Sequence, residues 1–554
     1  MKERIGIFLC ECGPNIAEKI DLDKVKEALE HLPNVVIVAR HKLFCSLQGK
    51  EFLKESIKEN NLTRFVIAAC SPKQHELTFM IVAEDAGMNP HLFQMANIRE
   101  QCAWIIEDKD EATKKAILYI KAAYKRVIYH ESLDKKEIVA NPDVLVIGGG
   151  IAGIEASLAL AGPDRKVYLI EKTESLGGKI KEFDEVFISF KNGQSIIDER
   201  LERIEKEDNI ETRLQAEVID VKGFLGNFIV IVKTGDSEEK IQVGAIIVAI
   251  GFELINLSQL KGYGSLDCDD IYTGLEFEKM KKEGKITTKS GSVPKSVGII
   301  HCIGRNEVGY CSGVCCLSSI KFSKYIQDKL PGTNIFEFYR DLTLPDKAYQ
   351  KFYENIENKG VNFIQADDIK IANEKGLKIK YNKNKSTQPV DMIILSPAYV
   401  PAKDSNSLAE MLRIPRDDSG FFTEEHPKLA PVNTSAEGIF IIGCAQGPKS
   451  IKDSISQAHA AAGKILASII PGKKLEPEVR ISYINEAFCI GCQKCLNTCN
   501  YGAIYFDNLK FISIVNEVLC HGCGNCIASC NSSAIQLKHF KDIQMHQEII
   551  EILR

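Results

Sequence analysis

The sequence predicts an α/β protein of several domains: a small N-terminal α/β domain, a pair of larger α/β domains, and a cysteine-rich domain at the end. Three observations predict it. Short apolar strands alternate with amphipathic helices over residues 1–135. A strand, a glycine-rich turn and a helix come in succession at Asp143–Ala161. Two C-x2-C-x2-C-x3-C runs stand close to the end of the chain. At 554 residues the chain is too long for one hydrophobic core, which predicts three or four domains.

Composition narrows the classes. The chain is 45% hydrophobic and 26% charged with a net charge of −5, and it has a single Trp. That mild, evenly spread acidity gives no footing for nucleic acid. No stretch approaches 18 apolar residues, so no membrane span is expected, and the opening MKERIGIFLCECG is too short and too interrupted by Glu11 for a signal peptide. The 19 cysteines are odd in number and fall in C-x-x-C runs. They point to metal or iron–sulfur ligation rather than disulfides, and to a reducing, oxygen-poor cytoplasm.

In the first domain (residues 1–135), strands are expected at Ile5–Leu9, Val35–Ala39 and Arg64–Ala69, with helices at Leu22–Leu32 and Gly49–Glu59. Cys10 and Cys12 come after the first strand, Cys45 comes after the second and Cys70 ends the third. In an open parallel sheet those positions share the edge where ligands bind. The four thiols can hold a cluster or metal there, or pack as small hydrophobes. Cys102 reads as structural.

The second segment, residues 140–475, carries the glycine turn. Gly148, Gly150 and Gly153 fit G-x-G-x-x-G between the strand Val144–Ile147 and a helix that stops at Gly162-Pro163. Glycines there permit a tight turn, close approach to a pyrophosphate, and close helix–strand packing. The pyrophosphate would sit on free N–H groups of the helix start, around Ala152. A second strand ends at Ile170, and Glu171, 18 residues after Gly153, would hold a ribose hydroxyl. Three later stretches point to FAD rather than NAD. Gly177-Gly178 come soon after Glu171 and Lys172 and before Lys179, as in flavin disulfide-reductase-like proteins. Val243–Glu253 resembles the strand-and-glycine return of those proteins at Ala249 and Gly251, with Ile250 in place of the usual Thr. Gly438–Gly463 resembles their flavin-closing segment, with Gly443 at the ribityl chain and a helix starting near Ser450 and Ile451. Cys444 stands where Asp is usual.

Inside this segment, residues 290–405 form a second α/β unit. Its strand, Ser296–Gly304, leads into RNEVGYCSGVCC where relatives of this architecture repeat G-x-G-x-x-G for NAD(P)H. In its place stand Cys302, Cys311, Cys315 and Cys316, a soft four-thiolate set suited to a 4Fe–4S cluster. The alternatives are an apolar Cys-Cys turn, and a vicinal Cys315–Cys316 disulfide serving as a redox-active thiol site.

After a linker at Pro471-Gly472-Lys473-Lys474 and Pro477, residues 478–540 hold the paired runs, and residues 541–554 a final helix. In bacterial-type ferredoxins three cysteines of a run bind one cluster and the fourth crosses to the other. Cys489, Cys492, Cys495 and Cys530 should therefore bind one cluster, and Cys520, Cys523, Cys526 and Cys499 the second. Asn500 and Asn531 replace the usual Pro. Zinc is the competing metal, and eight cysteines in this order disfavour it.

These stretches together resemble the heterodisulfide reductase A family, the iron–sulfur flavoprotein subunits of that enzyme, over nearly the whole chain. The resemblance is carried by CECG (Cys10–Gly13), AACSPKQHE (Ala68–Glu76), NIREQCAW (Asn97–Trp104), GGGIAGIEAS, YCSGVCC (Tyr310–Cys316), GCAQGPK (Gly443–Lys449) and the ferredoxin runs. It implies a thioredoxin-reductase-like FAD domain pair and a bacterial-type 2×(4Fe–4S) ferredoxin domain. It further implies FAD, three 4Fe–4S clusters, with a fourth only if the N-terminal cysteines hold one, and no catalytic group beyond the flavin. Longer archaeal members carry a further ferredoxin-like insertion after the first FAD segment. Lys179–Glu217 contains no cysteine here, so that insertion, two clusters and the archaeal wiring route are not expected.

The implied function is the flavin–cluster core of a multi-subunit oxidoreductase that bifurcates electrons. The implied partners are B- and C-like subunits, a hydrogenase, formate dehydrogenase or NADH module, and ferredoxin, with a homodimer inside the larger complex. A stand-alone NAD(P)H-dependent reductase, resembling the small subunit of glutamate synthase, and a non-bifurcating relay are the other classes. The missing second fingerprint argues against the former.

Overall fold

The computed structural model describes residues 3–187, 189–264, 266, 268–373 and 376–554. They divide into two compact units. One joins the chain up to Glu137 with Glu476–Arg554; the other is Ile138–Leu475.

The first unit is built on a four-stranded, wholly parallel sheet in the order Val35–His41, Ile5–Cys10, Arg64–Ala69, Phe93–Asn97. Ile5–Cys10 is buried along its entire length, as a central parallel strand must be when helices cover both faces. The helix Lys109–Val127 covers one of them. Asp108 caps it by accepting from Glu111 N, and Lys125 and Arg126 close it, charges that complement the helix dipole at each end. The tail contributes two short antiparallel pairs, Ser482–Ile484 with Ile535–Leu537 and Ile504–Asp507 with Ile512–Val515. Its last helix, Asp542–Ile552, packs against Lys109–Val127. There the Arg126 guanidinium donates to Glu548 at 2.7 Å and lies 4.8 Å from the Phe540 ring centroid. Two segments far apart in sequence thus share one unit.

The second unit has two parallel sheets. The first runs Ile210–Arg213, Val167–Ile170, Val144–Ile147, Ala245–Val248, Ile439–Ile441. The closing segment therefore returns to the sheet as its edge strand, and its helix Ile451–Ser468 packs on Ile151–Leu160. The second sheet runs Ile271–Thr273, Met392–Pro397, Ser296–Ile303, Asn334–Tyr339, Asn362–Gln365. It begins earlier than the boundary near residue 290 that the sequence suggests. The reason is local: Thr273 and Glu276 form a capping box that starts the helix Gly274–Lys282 and ties Ile271–Thr273 to this half.

Candidate functional site

The first sheet's glycine turn opens onto a cavity of about 770 Å3. Gly148, Gly150, Ala152, Glu171, Lys172, Gly178, Lys179, Ala249, Gly251, Cys444, Ser450 and Ile451 all line it. Gly153 and Gly443 do not, because both serve packing behind the wall. A Cβ on Gly153 would lie 1.9 Å from Gly148 O, and one on Gly443 3.0 Å from the Ala152 Cβ. Gly443 N instead donates to Gln457 Oε1 at 2.8 Å.

The cradle suits a dinucleotide. Gly150 stands at the start of Ile151–Leu160 with no side-chain cap, so the first N–H groups of that helix are left for an anion. A Cβ on Gly150 would meet no protein atom within 4 Å. Glu171 is buried and already accepts from Gly149 N at 2.6 Å and Thr173 N at 2.8 Å, which fixes its carboxylate at the end of its strand. Ser450 caps the helix Ile451–Ser468 by accepting from Asp453 N, and that helix start also borders the cavity. Cys444 is not a carboxylate substitute. Burial pushes its thiol up to about 11, and it donates to Lys449 O at 3.5 Å, so it meets the cavity as a neutral group.

The far wall comes from the second sheet's half: Gly313, Val314, Leu317 and Lys321. Lys321 is 4% exposed, pairs with the buried Glu278 and donates to Glu185 O at 2.7 Å. Burial pulls its pKa down, against the pull of Glu278. Phe252 and Tyr399 stack with centroids 3.9 Å apart and planes 7° from parallel, and both line the cavity. Sequence reading missed Lys321, Phe252 and Tyr399. Each is an ordinary residue of its element, and only partners far along the chain mark it.

Cys302, Cys311, Cys315 and Cys316 come together at the end of Ser296–Ile303 and the start of the helix Cys315–Lys329, and all four are free thiols. Cys302 adopts a left-handed backbone with φ 58°, uncommon outside glycine and a mark of local constraint. Polar groups surround the sulfurs: Gly313 N donates to Cys311 Sγ at 3.4 Å and Arg305 Nη1 to Cys302 Sγ at 4.0 Å. The adjacent thiols are driven apart electrically. A hydrogen bond shared with Cys315, and the His301 ring beside it, pull Cys316 below the usual thiol range; the bond to Cys316 and burial push Cys315 up.

In the tail, Cys499, Cys520, Cys523 and Cys526 line one small cavity of about 10 Å3 together with Ser482, Tyr501 and His521. This set takes one cysteine from the first run and three from the second. Ser482 N donates to Cys520 Sγ at 3.3 Å and Ala503 N to Cys499 Sγ at 3.2 Å. Cys489 and Cys492 are electrostatic neighbours of Cys495. Cys530 is held low as backbone N–H groups of Ser532, Ala534 and Ile535 and the Ser532 hydroxyl outweigh its burial.

In the first unit, Cys10, Cys12, Cys45 and Cys70 lie at the C-terminal edge of the parallel sheet. Cys10 feels both Cys12 and Cys45, Cys70 feels Cys12 and Cys10, and Arg99 Nη1 donates to Cys12 Sγ at 3.2 Å. Cys102 lies apart, fully buried in the core. Among the described residues no three His, Cys, Asp or Glu side chains converge on a point that one metal ion would occupy. Around a 4Fe–4S core each thiolate ligates a different iron, so the four stand further apart than around a single zinc. The all-sulfur donor sets fit such a cluster.

Comparison with known proteins gives two family matches and a set of relatives. Residues 142–306 match the family described as pyridine nucleotide-disulphide oxidoreductase, and residues 488–534 match the 4Fe-4S dicluster domain. The chain is 32% identical to the second of the A-type iron-sulfur subunits of CoB--CoM heterodisulfide reductase in Methanopyrus kandleri, over 90% of this chain and 91% of that protein. It is also 32% identical to the A-type subunit of the H(2):CoB-CoM heterodisulfide,ferredoxin reductase of Methanothermobacter thermautotrophicus, over 90% of each chain. Both alignments run 596 residues, more than the 554 of this chain, so those relatives carry stretches with no counterpart here. Among solved structures, the thioredoxin reductase of Lactococcus lactis overlaps 59% of this chain and 99% of its own at TM-score 0.43 and 17% identity. Among the described residues no helix is long and apolar enough to cross a membrane.

Proposed function

This chain belongs to the heterodisulfide reductase A family, and from that premise we propose that it is the FAD- and 4Fe–4S-bearing core of a multi-subunit oxidoreductase that divides electron pairs. FAD, when bound, exchanges electrons in pairs or singly, while each cluster passes one. The observation that carries the reading is the shared cavity: the glycine turn forms one wall, and Gly313 and Val314 of the cysteine turn form another. A one-electron group on Cys302, Cys311, Cys315 and Cys316 is thereby the nearest partner the second unit offers to the flavin site.

The chain's own residues have separate tasks. The N–H groups at Ile151 take the pyrophosphate, and Glu171 takes the ribose hydroxyl. The helix start at Ile451 turns N–H groups toward the cavity wall, and Lys321, held by Glu278, anchors the opposite side. Phe252 and Tyr399 present apolar faces that keep water from the interior of the site. The tail sets Cys489/Cys492/Cys495/Cys530 and Cys499/Cys520/Cys523/Cys526 each hold a cluster, and the edge set Cys10/Cys12/Cys45/Cys70 offers a place for a fourth.

Bifurcation is supported by the names of relatives, which pair a heterodisulfide with ferredoxin or with F(420)H(2). The expected partners are B- and C-like subunits, ferredoxin, and a hydrogenase, formate dehydrogenase or NADH module, in a cytoplasmic complex containing a homodimer of this chain. Pull-down from the native host, then partner-driven reduction with ferredoxin and a high-potential acceptor both present, tests it. Equal, mutually dependent reduction of both acceptors supports division of the pair; reduction of one acceptor alone leaves a simple relay.

One observation favours a second reading. The depressed Cys316 beside a raised Cys315 is also the electrical signature of an attacking thiolate and its partner thiol. That reading makes the pair a redox-active dithiol instead of cluster ligands, and iron content separates the two.

A further inference from the structure

The two residues on either side of Cys311 hold a wall of the flavin cavity. Tyr310 Oη donates to Tyr399 O at 2.6 Å, and Tyr399 N donates to Ser312 Oγ at 3.0 Å. Tyr399 begins the strand Tyr399–Pro401, which pairs antiparallel with Phe252–Leu254. In that two-stranded ribbon Leu254 faces Tyr399, and Phe252 is the diagonal neighbour whose ring stacks on Tyr399. A ribbon of two strands leaves an outer row of backbone groups without a ladder partner. For Tyr399 the cysteine turn supplies partners to both the N–H and the C=O. Tyr310 and Ser312 stand behind the cavity wall, whereas Gly313, Val314, Tyr399 and Phe252 line it.

Each end of this clamp is itself fixed. The Tyr310 ring meets Phe421 edge-on at 5.9 Å, and Ser312 is 6% exposed. On the other side, the Lys179 ammonium lies 5.5 Å from the Phe252 ring centroid and pairs with Glu253 at 3.3 Å. The strands of the ribbon also come from different sheets. Phe252–Leu254 follows Ala245–Val248 of the first, and Tyr399–Pro401 follows Met392–Pro397 of the second. A side chain that only fills space needs no hydroxyl. Here two hydroxyls, one on each side of Cys311, bind the backbone of a single wall residue. Deleting either one leaves a backbone group of Tyr399 unpaired, and the turn loses its hold on the wall.

We propose that Tyr310 and Ser312 are positioning residues that lock the cysteine turn to Tyr399 and so fix the separation between the flavin and the group held on that turn. This rests on the reading that Cys302, Cys311, Cys315 and Cys316 hold a 4Fe–4S cluster. Both residues act through Tyr399, not on the flavin or the cluster directly. The step they serve is a single-electron transfer, in which the flavin gives one electron and the cluster takes it. Such a transfer slows steeply with separation, and small misplacements cost rate out of proportion to their size. Tyr399 is held by the turn through two hydrogen bonds, and by the flavin-side strand through the ladder and the Phe252 ring. It thereby ties the position of one redox site to that of the other.

The test uses the full chain with FAD and clusters in place. The bound flavin is photoreduced with EDTA as sacrificial electron donor, and the decay of reduced-flavin absorbance reads the passage of electrons to the clusters. The visible circular dichroism of the flavin reads the placement of its walls. Tyr310→Phe and Ser312→Ala each delete one bond, and the double variant deletes both. The double variant should keep native iron and FAD content, change the flavin dichroism, and pass electrons at least about tenfold more slowly, with smaller effects in each single variant. Thr333→Val, which removes a hydroxyl bond to Pro294 O elsewhere in the same half, controls for lost stability alone and should leave both readings native. A native dichroism or a native rate in the double variant overturns the proposal, as does an equal slowing in Thr333→Val. If the double variant fails to fold, the single variants decide, and native values in both overturn it. A native protein lacking this cluster overturns the underlying reading instead, and iron analysis reveals that before any variant is made.

Discussion

Gly150 and Gly153 stand on one turn and are glycines for different reasons. A Cβ on Gly153 would sit 1.9 Å from Gly148 O, whereas one on Gly150, at φ −76°, would meet no protein atom within 4 Å. The fold demands the second glycine. Only a ligand demands the first.

Gly150→Val should therefore fold with a near-native melting temperature and fail to retain FAD, read from the flavin absorbance of the purified protein. Gly153→Ala should instead destabilise the second unit by about 1–3 kcal/mol through overpacking. Full flavin occupancy in Gly150→Val would falsify the assignment of this turn to the pyrophosphate.

Cys315→Ser should leave FAD and the tail clusters in place and remove the iron and EPR signal of one cluster. Electrons from a partner-reduced flavin should then reach the tail orders of magnitude more slowly. The dithiol reading expects unchanged iron and the loss of two titratable thiols. Intact iron with intact transfer would reduce these cysteines to packing.

The native protein should carry at least about twelve iron atoms per FAD, and about sixteen if the N-terminal set is loaded. Cys70→Ala separates the two counts, because it should lower iron by about four only in the second case. About eight atoms in the native protein would remove the cluster at Cys302–Cys316.

Cys499→Ala should extinguish the cluster of Cys520, Cys523 and Cys526, not that of its sequence neighbours, because it lines their cavity. Cys530→Ala should do the reverse. Spectra that pair each variant with its own run would dismiss the crossed arrangement.

The His130 and His539 rings lie 4.1 Å apart, tilted by 52°, inside the first unit, and burial lowers them to about 3 and about 2 from the usual 6.5. Both are neutral when folded and take up protons once unfolded. Their contribution is thus fully present above pH 6.5 and is lost as pH falls toward the folded values, by up to about 1.4 kcal/mol per unit for each. Denaturant midpoints of wild type and His539→Phe between about pH 7 and pH 4.5 should converge as acid is added. Parallel curves would mean the histidines do not supply the acid sensitivity.

What could be read from the sequence depended on how local the cause was. Gly148, Gly150, Gly153 and Glu171 lie within one strand–turn–helix–strand passage, and the eight tail cysteines are spaced by the cluster itself. The strand edge carrying Cys10, Cys12, Cys45 and Cys70 came from alternation alone. Lys321 is different: it is defined by Glu278, 43 residues away. Phe252 gains its meaning from Tyr399, and Tyr310 from the same residue. The link between the first domain and the tail passes through Arg126 and Glu548, separated by 422 positions. Such pairs leave no periodicity to read.

That last pairing governs the order in which the molecule can be made. Translation delivers the N-terminal sheet before Ile138–Leu475, and Glu548 and Phe540, which complete the surroundings of Arg126, only after it. The early domain must wait half-finished through most of synthesis, with the outer face of Lys109–Val127 uncovered. Synthesis of the segment Glu476–Arg554, with its eight cysteines, is then the event that seals the first unit. A product truncated before Glu476 would leave that helix face open, where quality control can recognise it.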